Sequence, residues 1–338
     1  MNLQATRERQ YRLAIFSTLL AFCVVLMGAY VRLSDAGLGC PDWPGCYGKL
    51  VVPQSGETLT PPNNPFAKPL HRGKAWKEMI HRYLAGTLGL CILLLAVTAW
   101  RNRRDPAQPL RLPNLLLGLV AFQATLGMWT VTLLVKPAIV TAHLLGGFAT
   151  FVLLLLLALR LRSNPLFPDL EIAPSLRPVI LLGLAVVIAQ ITLGGWTSSN
   201  YAALGCNDFP GCYPDQWWPA MDFGEAFTLW RGLGINYEFG VLENDARSAI
   251  HMTHRIGALL TLLSVGWLAL RLILQRRQNG LARLGGLLLL MLAIQILLGI
   301  GNVLGHLPLP VAVAHNGGGA LLLATLATLS WLALRHAR

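Results

Sequence analysis

Eight separate runs of roughly twenty apolar residues dominate this chain, and that is the length an α-helix needs to cross a bilayer. Their limits fall near 13–31, 77–100, 113–132, 139–160, 178–197, 248–271, 284–304 and 310–334. Hydrocarbon offers no water to the backbone, so only helices or closed barrels can span it, and the strict alternation of a barrel strand is absent here. With 54% hydrophobic and 12% charged residues, the chain also lacks the polar surface of a water-soluble globule. The expected fold class is an all-α membrane protein with eight transmembrane helices. A cleaved leader is the other reading of residues 1–31. That run is long for a signal core, lacks a clean small-x-small site and has a counterpart in the fifth run, so it is read as a span.

Arginines set the orientation. Arg7, Arg9 and Arg12 precede the first run, and Arg101, Arg103, Arg104, Arg160, Arg162, Arg271, Arg283 and Arg335 border the even-numbered ends. Positive charge collects on the cytoplasmic side, which puts both termini there and the chain in a cytoplasmic (inner) membrane as a multi-pass protein. The same basic face against anionic lipid accounts for the net charge of +12, so no nucleic-acid partner is called for.

The chain repeats itself. Glu78–Arg82 (EMIHR), Gln123–Val131 (QATLGMWTV) and Thr141–Gly147 (TAHLLGG) are answered by His251–Arg255 (HMTHR), Gln295–Val303 (QILLGIGNV) and Val313–Gly319 (VAHNGGG). Two pseudo-symmetric four-helix bundles follow: an N-terminal half over 13–160, a cytoplasmic linker over 161–177 and a C-terminal half over 178–334. Each half carries one long outer loop, 32–76 and 198–247, and these repeat too, as Leu38–Tyr47 (LGCPDWPGCY) against Leu204–Tyr213 (LGCNDFPGCY).

Cysteines sort by depth. Cys23 and Cys91 lie within spans, where a thiol usually packs as a small apolar group. Cys40 with Cys46, and Cys206 with Cys212, lie outside, where disulfides persist. Bent by Pro44-Gly45 or Pro210-Gly211, each pair can close within its own loop, and intraloop disulfides are the preferred reading. Zinc would need further ligands, and a thiol pair that cycles between redox states stays open.

His81, His143, His254 and His315 lie near the outer ends of the second, fourth, sixth and eighth spans. One intramembrane histidine is ordinarily a hydrogen-bonded structural residue, but four at matched depth in repeat-related pairs point to ligands. Two helices running the same way can each offer an imidazole to one face of a haem, giving one haem per half. Gly146, Gly147 and Gly317–Gly319 would let a flat ring approach, although helix packing explains such glycines equally well. Arg82 and Arg255 are placed to meet haem propionates, with snorkelling as the alternative. Gln123 and Gln295 are placed to hydrogen-bond across their bundles.

The halves differ at one telling position. Glu78 stands three residues before His81, where the second half has His251. A buried carboxylate facing a haem can move protons, while an ion pair to a nearby arginine is the structural reading. One pocket looks reactive, the other an electron store.

Together, Gly28–Gly48 (GAYVRLSDAGLGCPDWPGCYG), the EMIHR start and the later paired histidines resemble the haem A synthases, a family of cytochrome oxidase assembly proteins. The resemblance covers essentially the whole chain. It implies oxidation of the C8 methyl of haem O to a formyl group, giving haem A. It further implies that His81 and His143 flank haem O as substrate, that Glu78 is catalytic, and that His254 and His315 ligate a resident haem b. Implied partners are the haem O synthase that supplies substrate and an electron donor that the chain does not identify, since it has no iron–sulfur motif or nucleotide fold. Two other classes stay open: a bis-histidine dihaem b electron-transfer protein, which would not need the Glu78/His251 asymmetry, and a haem carrier, which would bind porphyrin unchanged. Prenyl transfer is disfavoured by the lack of paired aspartate-rich motifs. The roles of His71, His251 and His306 are not legible at this stage.

Overall fold

The computed structural model describes residues 3–54, 69–162, 170, 172–275 and 279–335. Residues 163–169 and 171 of the linker expected over 161–177 lie outside them. Among the described residues the regular elements are all helices, with two isolated bridges, Cys46 to Lys49 and Tyr213 to Gln216, in the outer loops. Eight helices are long and apolar enough to cross a membrane. They are α1 (Leu3–Leu33), α2 (Arg72–Arg101), α3 (Arg111–Thr132), α4 (Pro137–Leu161), α5 (Arg177–Ser199), α7 (Asn244–Ile273), α8 (Asn279–Leu304) and α9 (Leu309–Arg335), with a single-turn α6 (Phe223–Ala226) in the second outer loop. Prolines open several of them: Pro137 begins α4, Pro178 is second in α5 and Pro310 second in α9, positions where the missing N–H costs nothing.

Two compact units form. The first comprises Met1–Leu161 with Thr228–Val241, the second Arg162–Phe227 with Leu242–Arg338. In the first, α1 packs on α2 and α4, and α3 on the same two, so the four helices form a square with α2 and α4 across its diagonal. In the second, α5 and α8 each pack on α7 and α9, again leaving the histidine-bearing pair α7 and α9 on a diagonal. That arrangement follows from apolar faces that need burial on two sides, while leucines such as Leu90, Leu94, Leu260 and Leu263 face outward, as lipid requires.

The repeat extends to the backbone. The turn from α3 to α4 places Leu134 and Val135 at positive φ (53° each), and the turn from α8 to α9 does the same with His306 and Leu307 (56° and 60°). Asp35 after α1 and Tyr201 after α5 match as well, at 50° and 54°. Non-glycine residues leave the right-handed region at a cost of about 1 kcal/mol each, so the same short, tight connections have been kept twice.

The segment Thr228–Val241 of the second outer loop joins the first unit. Lys136, at the turn before α4, holds it: Nζ donates to the carbonyls of Arg231 (2.6 Å) and Gly232 (3.1 Å) and lies 3.4 Å from the centre of the Trp230 ring. The Tyr237 N–H adds a bond to the Leu134 carbonyl (3.2 Å).

Candidate functional site

The four histidines come together in pairs. His81 on α2 lies close enough to His143 on α4 for their charges to interact, and His254 on α7 is likewise close to His315 on α9. Diagonal placement makes each pair face inward across its own bundle. All four side chains are half-buried.

Each ring is set against a glycine on the neighbouring helix. A β-carbon on Gly28 would stand 3.0 Å from His81 Cε1, one on Gly127 3.4 Å from His143 Cε1, one on Gly194 3.2 Å from His254 Cε1, and one on Gly299 3.2 Å from His315 Cε1. A β-carbon at Gly28, Gly194 or Gly299 would make its imidazole give by a few tenths of an ångström, while one at Gly127 would just touch. Residues four earlier complete the setting: the backbone of Val24 faces His81, that of Gln123 faces His143, and that of Gln295 faces His315. Nδ1 of these three rings is buried and makes no hydrogen bond of normal geometry. An imidazole that turns Nδ1 toward a backbone carbonyl offers Nε2 to a metal, the usual orientation of a histidine ligand. Among the described residues no cluster of three or more His, Cys, Asp or Glu could hold a bare ion, so a two-histidine clamp on a macrocycle suits these residues where an all-protein metal site does not.

Glutamines lace the histidine helices to their neighbours. Gln190 Nε2 on α5 donates to the His254 carbonyl (3.0 Å) and lies 3.1 Å from His254 Nδ1, a contact whose sense depends on the ring tautomer. Gln295 Nε2 on α8 donates to the His315 carbonyl (2.8 Å). Gln123 on α3 occupies the same relation to α4, lying over Gly146 as Gln190 lies over Gly257 and Gln295 over Gly318. Its Nε2, rather than its oxygen, is the atom turned to the glycine, and that nitrogen has no partner. Half a turn of the amide would bring Gln123 into the sense of the other two.

Outside the rings stands a polar clasp that the two halves share. Glu78 Oε2 accepts the Cys40 N–H (2.8 Å), and Glu78 Oε1 pairs with Arg82 Nη2 (2.6 Å). Arg82 Nη1 donates onward to the carbonyls of Asp42 (2.9 Å), Pro44 (3.3 Å) and Gly45. In the second half His251 Nδ1 accepts the Cys206 N–H (3.1 Å), and Arg255 donates to the carbonyls of Gly211 (2.6 Å) and Cys206 (3.0 Å). Arg255 Nε is 3.3 Å from His251 Nε2. A neutral imidazole has one acceptor nitrogen, so the shorter Cys206 contact is the one that can be a true bond. The arginines expected to meet propionates are thus engaged with loop carbonyls, and Glu78 is held in the ion pair that was the structural reading of its position.

The loops themselves are stapled. Cys40 is bonded to Cys46 and Cys206 to Cys212, while Cys23 and Cys91 are free thiols. Asp42 accepts the N–H groups of Tyr47 (2.6 Å) and Gly48 (2.7 Å), closing the first turn. Trp43-Pro44 and Phe209-Pro210 are cis. Gly39 and Gly205 let the loops lie directly on helix backbone: a β-carbon at Gly39 would come within 2.7 Å of the Lys74 carbonyl carbon, and at Gly205 within 2.6 Å of that of Arg247. Of the remaining histidines, His71 caps α2 by accepting the Lys74 N–H (3.3 Å), and His306 sits in the α8–α9 turn.

The glycines facing the rings and the Cys40 and Cys206 N–H bonds escaped the sequence reading. The offsets Q-x-x-x-G on one helix and H-x-x-G on the next, each written three times, were the signal that could have found the first.

Known proteins agree with this architecture. A family model described as cytochrome oxidase assembly protein matches residues 11–327. A heme A synthase of Shewanella oneidensis is 47% identical over 321 residues, covering 95% of this chain and 94% of that one. Heme A synthases of a Caulobacter species (27% over 350 residues, 97% of each chain) and of Agrobacterium fabrum (28% over 324 residues, 89% and 84%) are more distant. With a match that runs from residue 11 to residue 327 and takes in both stapled loops, the chain belongs to the cytochrome oxidase assembly protein family.

Proposed function

We propose that this chain is a haem A synthase, an oxidoreductase of the cytoplasmic membrane that converts the C8 methyl of haem O to a formyl group in its N-terminal half. What carries the reading is the asymmetry of the clasp: each half faces a histidine pair across its bundle, yet a carboxylate, Glu78, stands where the other half has His251. His81 and His143 would flank haem O as substrate, and His254 and His315 would hold haem b. Haem b, when bound, supplies one-electron storage and transfer. Both termini are taken to be cytoplasmic, which puts the clasps on the outer side.

Each successive hydroxylation by dioxygen, with two electrons from the donor, takes up two protons and gives one water, and the gem-diol then loses water with no net change in protons. Glu78 lies one helical turn outward of His81, where it would pass those protons inward from the outer side. Its two oxygens are oriented by Arg82 and the Cys40 N–H, with the Gly39 backbone beside them. Arg82 and Arg255 lie where propionates of an outward-facing haem would reach, so the same guanidinium groups that hold the loops would neutralise the carboxylates. The haem O synthase that supplies substrate and an electron donor complete the partner set.

Cells that make haem O but not haem A should accumulate haem A when this chain is expressed. Retention of haem O as the sole product, with normal haem b in the purified protein, would instead favour an electron-transfer protein or a carrier.

A further inference from the structure

Three of the four histidines share one local design, and the fourth departs from it. His143, His254 and His315 are each followed three residues later by a glycine (Gly146, Gly257, Gly318), and a glutamine of the adjacent helix (Gln123, Gln190, Gln295) fills the space where its β-carbon would be. Gln190 and Gln295 use that position to bond the carbonyl of the histidine itself. By the repeat, the matching positions for His81 are Val24, four residues before Gly28, and Leu84, three after His81. Both differ together: valine and leucine stand where the other three histidines have a glutamine over a glycine. No glutamine therefore ties α1 to the His81 carbonyl, and the polar contacts of α2 near its ligand include those of Glu78 and Arg82 to the loop and of Lys77 over the Tyr30 ring of α1.

A ligand keeps its place on iron in proportion to how firmly its helix is held. Resting on the reading that His81 and His143 flank haem O, we infer that His81 is the ligand built to detach, with Val24 and Leu84 as the positioning residues that leave it unclasped. Detachment is a ligand exchange: the bond from iron to His81 Nε2 breaks, an external ligand takes the vacated face, and His143 stays. The second pocket, clasped on both sides by Gln190 and Gln295, holds both its ligands. This gives the two halves different duties from apolar residues alone, apart from Glu78.

Carbon monoxide binds only ferrous haem with a free face, and so reads the exchange without turnover. Purified protein carrying haem O and haem b is reduced and titrated with carbon monoxide, with the visible spectra of the two haems followed separately. Wild type should take up the gas at haem O and not at haem b. Val24→Gln with Leu84→Gly, which copies the second-half clasp, should weaken uptake at haem O about tenfold, the scale of one hydrogen bond. Gln190→Val with Gly257→Leu should open haem b to the gas. Unchanged uptake in the Val24→Gln/Leu84→Gly protein overturns the inference. If that protein does not accumulate, the decision rests on two others: the adduct of His81→Ala should match that of wild type and the adduct of His143→Ala should differ, and the reverse pattern overturns the inference. Should neither histidine variant alter the haem O spectrum, the assignment of the first pocket falls, and the inference with it.

Discussion

The N–H of Cys40 donates to Glu78 Oε2 at 2.8 Å, joining the only carboxylate buried among the described residues to the first sulfur-bearing residue of the outer loop. His251 accepts from Cys206 in the same way. The position is therefore under a structural demand in both halves, for an acceptor facing the loop. A carboxylate and an imidazole both meet that demand, and only the carboxylate adds a negative charge that Arg82 answers at 2.6 Å. On the proposed reading stability and chemistry are superposed on one side chain, and variants have to be chosen to separate them.

The disulfides should prove to be intraloop, with Cys40 on Cys46 and Cys206 on Cys212. Closing so short a loop contributes about 2 kcal/mol by loop-closure entropy. Cys40→Ser with Cys46→Ser should loosen the carbonyls that Arg82 holds while leaving haem b in place. Peptide mapping under non-reducing conditions, followed by thermal melts with and without reductant, checks both halves of the statement. A Cys40–Cys206 crosslink would contradict it.

The two histidine pairs should be separable by pigment. His254→Ala or His315→Ala should remove haem b from purified protein, and His81→Ala or His143→Ala should leave it. Pyridine haemochrome analysis decides. Loss of haem b on changing His81 or His143 alone would reverse the assignment of the pockets.

Lys136 latches the segment 228–241 to the first unit, and burial holds its amine below the ordinary 10.5. A released lysine then binds the proton more strongly than the latched one, so the latch tightens as pH rises from the depressed value toward the ordinary one. Trypsin cleavage after Arg231, whose carbonyl accepts from Lys136, reads the latch directly. Relative to a free peptide, wild type should be cut more slowly as pH climbs toward the ordinary lysine value of 10.5. Lys136→Met should be cut faster, by about tenfold for the loss of the hydrogen bonds to the Arg231 and Gly232 carbonyls, and should show no such slope.

Much of this was legible in the chain. Helices that must bury their own backbone bonds announce themselves by length, so all eight spans could be read, and the repeat carried His81, His143, His254 and His315 into pairs before any coordinates. The family match adds the activity class. Contacts that depend on the approach of one backbone to another were not legible. Gly39 and Gly205 looked like ordinary loop glycines until their distance to the Lys74 and Arg247 carbonyl groups was known. Arg82 and Arg255 are read from the sequence as propionate partners because an arginine at that depth needs an anionic or polar partner, and the loop carbonyls that each also meets were not legible. Lys136 was passed over altogether, since its partners Trp230, Arg231 and Gly232 lie 94–96 residues away.

The most direct test of the account is haem A formation by Glu78 variants of purified, haem O-loaded protein. Glu78→Gln keeps an oxygen for the Cys40 N–H and removes the charge, while Glu78→His copies the second half. Both should fold and retain haem b, because the loop keeps its acceptor. Haem A, measured by chromatography of the extracted pigments, should fall by about 10²-fold or more, as expected when a positioned acid or base is lost, with haem O or its alcohol accumulating. Near-normal haem A from either well-folded variant would contradict the account.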